Sequence, residues 1–210
     1  MADQRDLRFM KLYYTNTSPF ARIVRLAILE LGIADRLEMA IADPWTEESG
    51  LYRVNPLEKV PALELDDGRV LVDSLTIAEY LDRSFGDNRL LPLDPAGWVS
   101  ERRLAALAHG VIEAGVARLI ERLRRPEPYR WAGWDARQKA KIVRTLDLLE
   151  GEVAGFAGTE PGLGRIALAA ALGYMDFRFA DDAWREGRPK LAAWYAAVAD
   201  RPAMQQTMPG

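Results

Sequence analysis

The chain contains no cysteine and a single histidine, His109. The first absence removes disulfides, thiolate metal sites and any protein-thiol nucleophile. The second speaks against a histidine-rich metal site, so no metal is expected. If sulfur chemistry occurs on this protein, the sulfur arrives with a ligand. No stretch approaches the ~18 apolar residues of a membrane span, and the polar start Met1-Ala2-Asp3-Gln4-Arg5-Asp6 is unlike a signal peptide. An excess of one charge is also lacking. The 28 Lys and Arg against 31 Asp and Glu leave a net charge of −3, and the signs alternate along the chain, which argues against a nucleic-acid surface. The densest basic run, Arg122-Leu123-Arg124-Arg125, suits a solvated helix end. The expectation is a soluble cytoplasmic protein with neither nucleic acid nor membrane as partner. At 210 residues it has enough apolar content for a real core, in one large or two small domains.

What is present begins with alternating strand and helix signals. Phe9 to Tyr14 reads as a strand. Pro19 to Leu31 reads as a helix with Phe20, Val24, Ala27, Ile28 and Leu31 on one face, stopped by Gly32. Leu37 to Ile41 is a second strand, and two strands joined by a helix imply a parallel βαβ unit. The stretch from Asp43 to Pro56 reads as irregular with room for one helix. Ala62 to Leu65 and Arg69 to Val72 flank Asp66-Asp67-Gly68, a hairpin signal. Ser74 to Phe85 carries Ile77, Leu81 and Phe85 on one helical face before Gly86. The proline-containing segment 87–97 reads as a linker between domains spanning 8–86 and 98–210. After it the patterns are helical: Trp98 to Arg125, Asp135 to Val153, Ile166 to Phe179 and Lys190 to Asp200. The third is apolar nearly all round and is expected at the centre of an all-helical domain.

Three separated pieces carry candidate chemistry. Thr17-Ser18-Pro19 ends a strand at a helix N-terminus, where N–H groups and the helix dipole favour negative charge such as a thiolate. Ser18 as a plain helix cap accounts for the same residues. In Lys59-Val60-Pro61-Ala62-Leu63, proline precedes a strand and leaves the Val60 backbone free for a peptide-like ligand, although an ordinary proline at a strand start fits too. Asp73-Ser74 opens another helix, suited to a ligand carboxylate and ammonium or to capping alone. In an α/β sheet such loops gather along one edge.

On Thr17-Ser18-Pro19-Phe20, Asn55-Pro56-Leu57-Glu58-Lys59-Val60-Pro61-Ala62-Leu63, Asp73-Ser74 with Ile77-Ala78-Glu79-Tyr80-Leu81, and Ile166-Ala167-Leu168-Ala169 to Asp176-Phe177-Arg178, the chain resembles a cytosolic glutathione S-transferase of bacterial type. The resemblance implies an α/β thioredoxin-like N-terminal domain with a mixed four-stranded sheet, an all-α helical C-terminal domain, and a homodimer. It implies a cis Pro61, with glutathione as co-substrate and a small hydrophobic electrophile as the other partner; a catalytically idle glutathione-binding or regulatory protein on the same fold, or a glutathione-dependent isomerase or dehalogenase, is the alternative. Ser18, with Thr17 as understudy, would then face the glutathione sulfur. Val60 would meet the cysteinyl unit, Asp73 and Ser74 would hold the γ-glutamyl end, and Lys59 would be offered to the glycine carboxylate. Phe20 would lie beside the pocket. Asn16 and His109 are assigned to the electrophile pocket, His109 from the first long helix of the second domain, although a partly exposed histidine with no catalytic role accounts for that position too.

Two departures from the family pattern stand out. Relatives open the buried helix with Ser or Thr and place Asp three residues later; here Gly162 and Arg165 occupy those positions. Arg165 is therefore expected to oppose the positive helix end at a cost of ~0.3–1 kcal/mol. Relatives with cysteine at the Ser18 position carry out mixed-disulfide chemistry, which this chain lacks the sulfur to perform.

Overall fold

The computed structural model describes residues 10–158 and 160–210. Phe9, expected to open the first strand, lies outside the described residues, as does residue 8, the expected start of the first domain. Strand β1 (Met10–Tyr14) leads into helix α1 (Pro19–Leu31). Ser18 supplies the extended N-cap, its Oγ accepting the Ala21 N–H at 3.2 Å, and Gly32 ends the helix with a φ of 70° that favours glycine. Strand β2 (Leu37–Ile41) runs parallel to β1, so the intervening helix forms the expected crossover. Strand β3 (Ala62–Glu64) lies antiparallel to β1 with Leu12 opposite Leu63, and β4 (Val70–Val72) lies antiparallel to β3. The sheet order is β2-β1-β3-β4. Between β2 and β3 lie a 3-10 turn (Glu47–Ser49) and the short α-helix α2 (Leu51–Val54). Helix α3 (Ser74–Phe85) completes this half.

The second half is helical throughout: α4 (Pro95–Leu123), α5 (Ala132–Glu152), α6 (Leu163–Arg178), α7 (Pro189–Ala199) and α8 (Pro202–Gln206). Helix α4 starts earlier than its apolar pattern suggests, within segment 87–97, because Asp94 accepts the Gly97 N–H at 2.9 Å and Pro95 fills the first position. The five-residue α8 carries no periodic signal and was not expected.

Helix α6 is buried nearly all round, as its composition requires. It packs closely on α4 at Gly115, where a Cβ would come within 2.7 Å of the Met175 methyl and 3.1 Å of Tyr174. Its N-terminus corrects one expectation. The missing cap is supplied from α4 by Glu101, a buried carboxylate that accepts the Gly164 N–H at 2.8 Å and pairs with Arg165 at 3.0 Å. Arg165 therefore opposes no bare dipole; a negative charge stands between them. Gly162 makes this possible, since a Cβ there would lie 2.5 Å from Glu101 Oε2.

Two buried arginines tie the halves together and close the helical domain. Arg22 of α1, 4% exposed, reaches across to the end of the chain, donating to the Met204 carbonyl at 3.1 Å and Thr207 Oγ1 at 3.3 Å. Gly173 of α6 leaves room for its guanidinium. Arg118 of α4, fully buried, donates to Asp135 at 3.2 Å and to Asp182, and lies 4.4 Å from the Phe179 ring centroid.

Candidate active site

The strand directions place four connections at one sheet edge. β1 and β2 are parallel, so the loops leaving Tyr14 and Ile41 share that edge; β3, being antiparallel, begins there, and β4 ends there. Read across the sheet, the edge carries the residues after β2, then Thr17-Ser18, then Val60-Pro61, then Asp73-Ser74. The three pieces singled out from sequence thus lie side by side.

Ser18 is half-buried at the head of α1. Its Oγ accepts one capping bond, and its hydroxyl proton has no acceptor among the described residues. Asn16, Thr17 and Ser18 line a cleft closed by Arg22, Ala170, Tyr174 and Pro209, with Asn16 the exposed member. Burial pushes the Tyr174 phenol up to about 12, against the pull of Arg178, so near neutral pH it is a neutral group.

The Val60–Pro61 peptide is cis. Ahead of it the buried Asn55 shapes the loop, its amide donating to the Lys59 carbonyl at 2.8 Å and its Oδ1 accepting the Leu57 N–H at 3.0 Å. The Val60 N–H and carbonyl have no hydrogen-bond partner among the described residues. Lys59 is exposed and makes no ion pair among them.

Asp73 sits at φ 75°, ψ 125°, a conformation rare for any residue with a side chain. This turns its carboxylate back over α3, where Oδ1 accepts the Leu75 and Thr76 N–H groups at 2.9 and 3.0 Å. Oδ2 is left over. It faces His109 Nε2 of α4 at 3.6 Å, and the other imidazole nitrogen lies 3.7 Å from Glu113. The same imidazole packs on Phe20, centroids 4.8 Å apart. His109, Phe20 and Asp73 therefore form one contact between the halves, with His109 next to the Asp73 carboxylate. Ser74 is 1% exposed and its Oγ has no hydrogen-bond partner among the described residues.

Sequence reasoning missed two residues at this edge. Trp45, in the loop after β2, is 53% exposed and stacks under the Arg124 guanidinium at 4.5 Å. No sequence signal joins them, because they are brought together only when α4 crosses the sheet edge. A cavity of ≈ 350 Å³ between α4 and the end of α5, lined by Leu104, Phe156, Arg103 and Glu152 among others, contains none of the candidate residues.

Comparison with known proteins gives a consistent picture. Residues 17–84 match the family model for the N-terminal domain of glutathione S-transferase, and residues 103–197 match that for its C-terminal domain. An uncharacterized glutathione S-transferase-like protein of Escherichia coli K12, YibF, is 36% identical over 95% of this chain and 98% of its own. Maleylacetoacetate isomerase of Pseudomonas aeruginosa is 31% identical over 95% of this chain and 96% of its own. Among solved structures, a glutathione transferase family member from Pseudomonas fluorescens Pf-5 with bound glutathione superposes with a TM-score of 0.91 at 37% identity, covering 96% of this chain and 99% of that one. A second structure of that protein, with bound S-(propanoic acid)-glutathione, gives 0.86 at 36% identity, covering 96% and 97%.

Proposed function

The chain belongs to the glutathione S-transferase family, and on that premise we propose that it binds glutathione along the described sheet edge and delivers its sulfur, as thiolate, to an electrophile. The observation that carries this reading is the buried Ser74 hydroxyl without a partner, beside the spare oxygen of Asp73. A buried polar group left unpaired costs about 1–3 kcal/mol, a cost removed if a ligand carboxylate accepts from Ser74. The α-ammonium of a γ-glutamyl group pairs with Asp73 Oδ2. One strand further on, the unpaired backbone of Val60 suits the cysteinyl unit of a tripeptide. Lys59 is within the same loop and suits the glycine carboxylate.

The sulfur then falls at Ser18, with Thr17 adjacent. A free thiol titrates near ~8.5, and lowering that by two units requires ~2.7 kcal/mol. A hydrogen bond donated by Ser18 to the thiolate supplies ~1.5–3 kcal/mol and the N-terminus of α1 a further ~0.3–1. The thiolate attacks the electrophilic carbon, a C–S bond forms, the leaving group departs with its electron pair, and the thiol proton has gone to water beforehand. The electrophile occupies the space under α4, Asn16 at its rim; the assembly is a homodimer, as is usual for the family.

The resemblance to maleylacetoacetate isomerase favours one second reading, in which the thiolate adds to an activated double bond and is expelled again. The adduct structure of the Pseudomonas fluorescens relative accords with either course, since both pass through a carbon–sulfur bond. Whether glutathione stays in the product separates them.

Ser18→Ala tests the assignment. The variant should fold, bind glutathione, and raise the pKa of the bound thiol, followed by thiolate absorbance near 240 nm, by about one to two units, with turnover down roughly ten- to a hundred-fold. If Thr17→Ala does this and Ser18→Ala does not, the hydroxyl has been misassigned.

A further inference from the structure

Helix α4 crosses the site edge from one side of the sheet to the other, and its contacts mark the crossing. Arg102 approaches Glu79 of α3 at 3.6 Å, His109 approaches Asp73 at the β4 end, and Arg124 stacks on Trp45 at the β2 end. At 100° per residue, positions 102, 109, 113, 116, 120 and 124 fall on one stripe of the helix. Between the two anchors that stripe presents Glu113, then Val116 and Ile120, the last 37% exposed. Strands lie about 4.8 Å apart, so Ser18, on the β1 loop, sits one strand from the Trp45 loop and two from Asp73. The apolar stretch of α4 faces this part of the edge.

The charges at the end of α4 differ in kind. Arg118, Arg122 and Arg125 are each paired with a carboxylate, through Asp135 and Asp182, Asp135, and Glu121 respectively. Arg124 has no carboxylate within 4.0 Å among the described residues; it is exposed, and its Cζ lies 4.5 Å from the Trp45 ring centroid. This cation–π contact holds the guanidinium beside the ring while its N–H groups have no carboxylate, which suits it to receive one. Glu113, also exposed, stands at the opposite end of the apolar stretch and repels an anion from that end.

We propose that the electrophile is a flat apolar molecule bearing an anionic group, with its body against Val116, Ile120 and the Trp45 ring and its anion on Arg124. This rests on the glutathione-transferase reading above and specifies its second substrate. An aryl chloride activated by an ortho nitro group and bearing a carboxylate para to the chlorine is such a molecule: the thiolate adds to the ring carbon, the nitro group takes up the charge, chloride leaves with its electron pair, and the carboxylate meets Arg124.

The test uses binding, so it does not depend on turnover. Two S-aryl conjugates of glutathione, 4-carboxy-2-nitrophenyl and its neutral 4-carboxamide isostere, are titrated into the full-length protein by calorimetry. The wild type should bind the carboxylate conjugate about ten-fold more tightly, as expected for one exposed charge-assisted pair. Arg124→Gln should erase that preference and leave the carboxamide affinity within about two-fold, and Trp45→Leu should weaken both conjugates. Equal affinity in the wild type, or a preference that survives Arg124→Gln, overturns the assignment of Arg124. If glutathione binds and neither conjugate does, the electrophile site is wrong. If glutathione itself fails to bind, the underlying function falls and this inference with it.

Discussion

Glu101 caps a helix that begins 62 residues after it, and removing it tests whether a cap supplied across the fold is worth what a local one is. Glu101→Ala deletes a charge-assisted bond to the buried Gly164 N–H, ~1.5–3 kcal/mol, and a favourable charge at the N-terminus of α6, ~0.3–1 kcal/mol. The Arg165 pair adds little, about 0–1 kcal/mol, because that guanidinium is partly exposed. The sum is about 2–5 kcal/mol, which for a chain of this size lowers Tm by roughly 4–20 °C. Gly162 sharpens the test. Its φ of −140° and ψ of 156° suit any residue, yet a Cβ there lies 2.5 Å from the Glu101 carboxylate, so Gly162→Ser should destabilise the wild type by about 1–3 kcal/mol. Once Glu101 is alanine the obstruction is gone and the serine can cap α6 itself, restoring about 0.5–2 kcal/mol. The same substitution thus changes sign between backgrounds, measured as urea midpoints at constant m. A Gly162→Ser effect of one sign in both backgrounds, or a Glu101→Ala loss below about 0.5 kcal/mol, would refute the reasoning.

Two further outcomes follow from the site and from the helical domain. Asp73→Asn keeps the capping oxygen and so the helix, and should weaken glutathione binding in calorimetry by about 1–3 kcal/mol, toward the lower end because the carboxylate is half exposed; unchanged affinity would leave Asp73 as a cap alone. Burial pushes the Asp135 and Asp182 carboxyls up, but hydrogen bonds from Arg122 and Arg118 to the first, and from Arg118 and Lys139 to the second, hold both below the usual 3.8. Groups depressed on folding stabilise above their unfolded pKa and lose that contribution as the pH falls through the folded value. The double variant Asp135→Asn, Asp182→Asn should therefore be clearly less stable than the wild type at pH 7, with the gap closing below about pH 4. A gap in urea midpoint that stays constant down to pH 2 would contradict this.

Most elements of the first half were legible because each is specified within a few residues. Ser18-Pro19 opens α1, Gly32 closes it, Asp66-Asp67-Gly68 turns the hairpin, and Asp73 caps α3. The βαβ pattern puts the loops after β1 and β2 at one edge; Val60-Pro61 and Asp73-Ser74 join them because β3 runs antiparallel to β1 and β4 antiparallel to β3. What escaped the sequence depends on partners far apart in the chain. The Gly162 and Arg165 positions looked like a defect because their compensation, Glu101, lies on another helix. Trp45 and Arg124 are separated by 79 positions and meet only through the tertiary crossing of α4. The positive φ of Asp73, which frees one carboxylate oxygen, has no signature in a residue that caps helices in ordinary conformations as well.

The bridge from Arg22 to the end of the chain also sets an order of events during synthesis. Its acceptors, at positions 204 and 207, are made 182 and 185 residues later, on the order of ten to forty seconds at ordinary elongation rates. Until then the guanidinium has water in place of Thr207 and the Met204 carbonyl, and desolvating it early would leave a cation buried without those acceptors. The sheet and its three helices can form on the ribosome with α1 still wet on its outer side. This part of the seam between the halves closes only after residues 204–207 have been made.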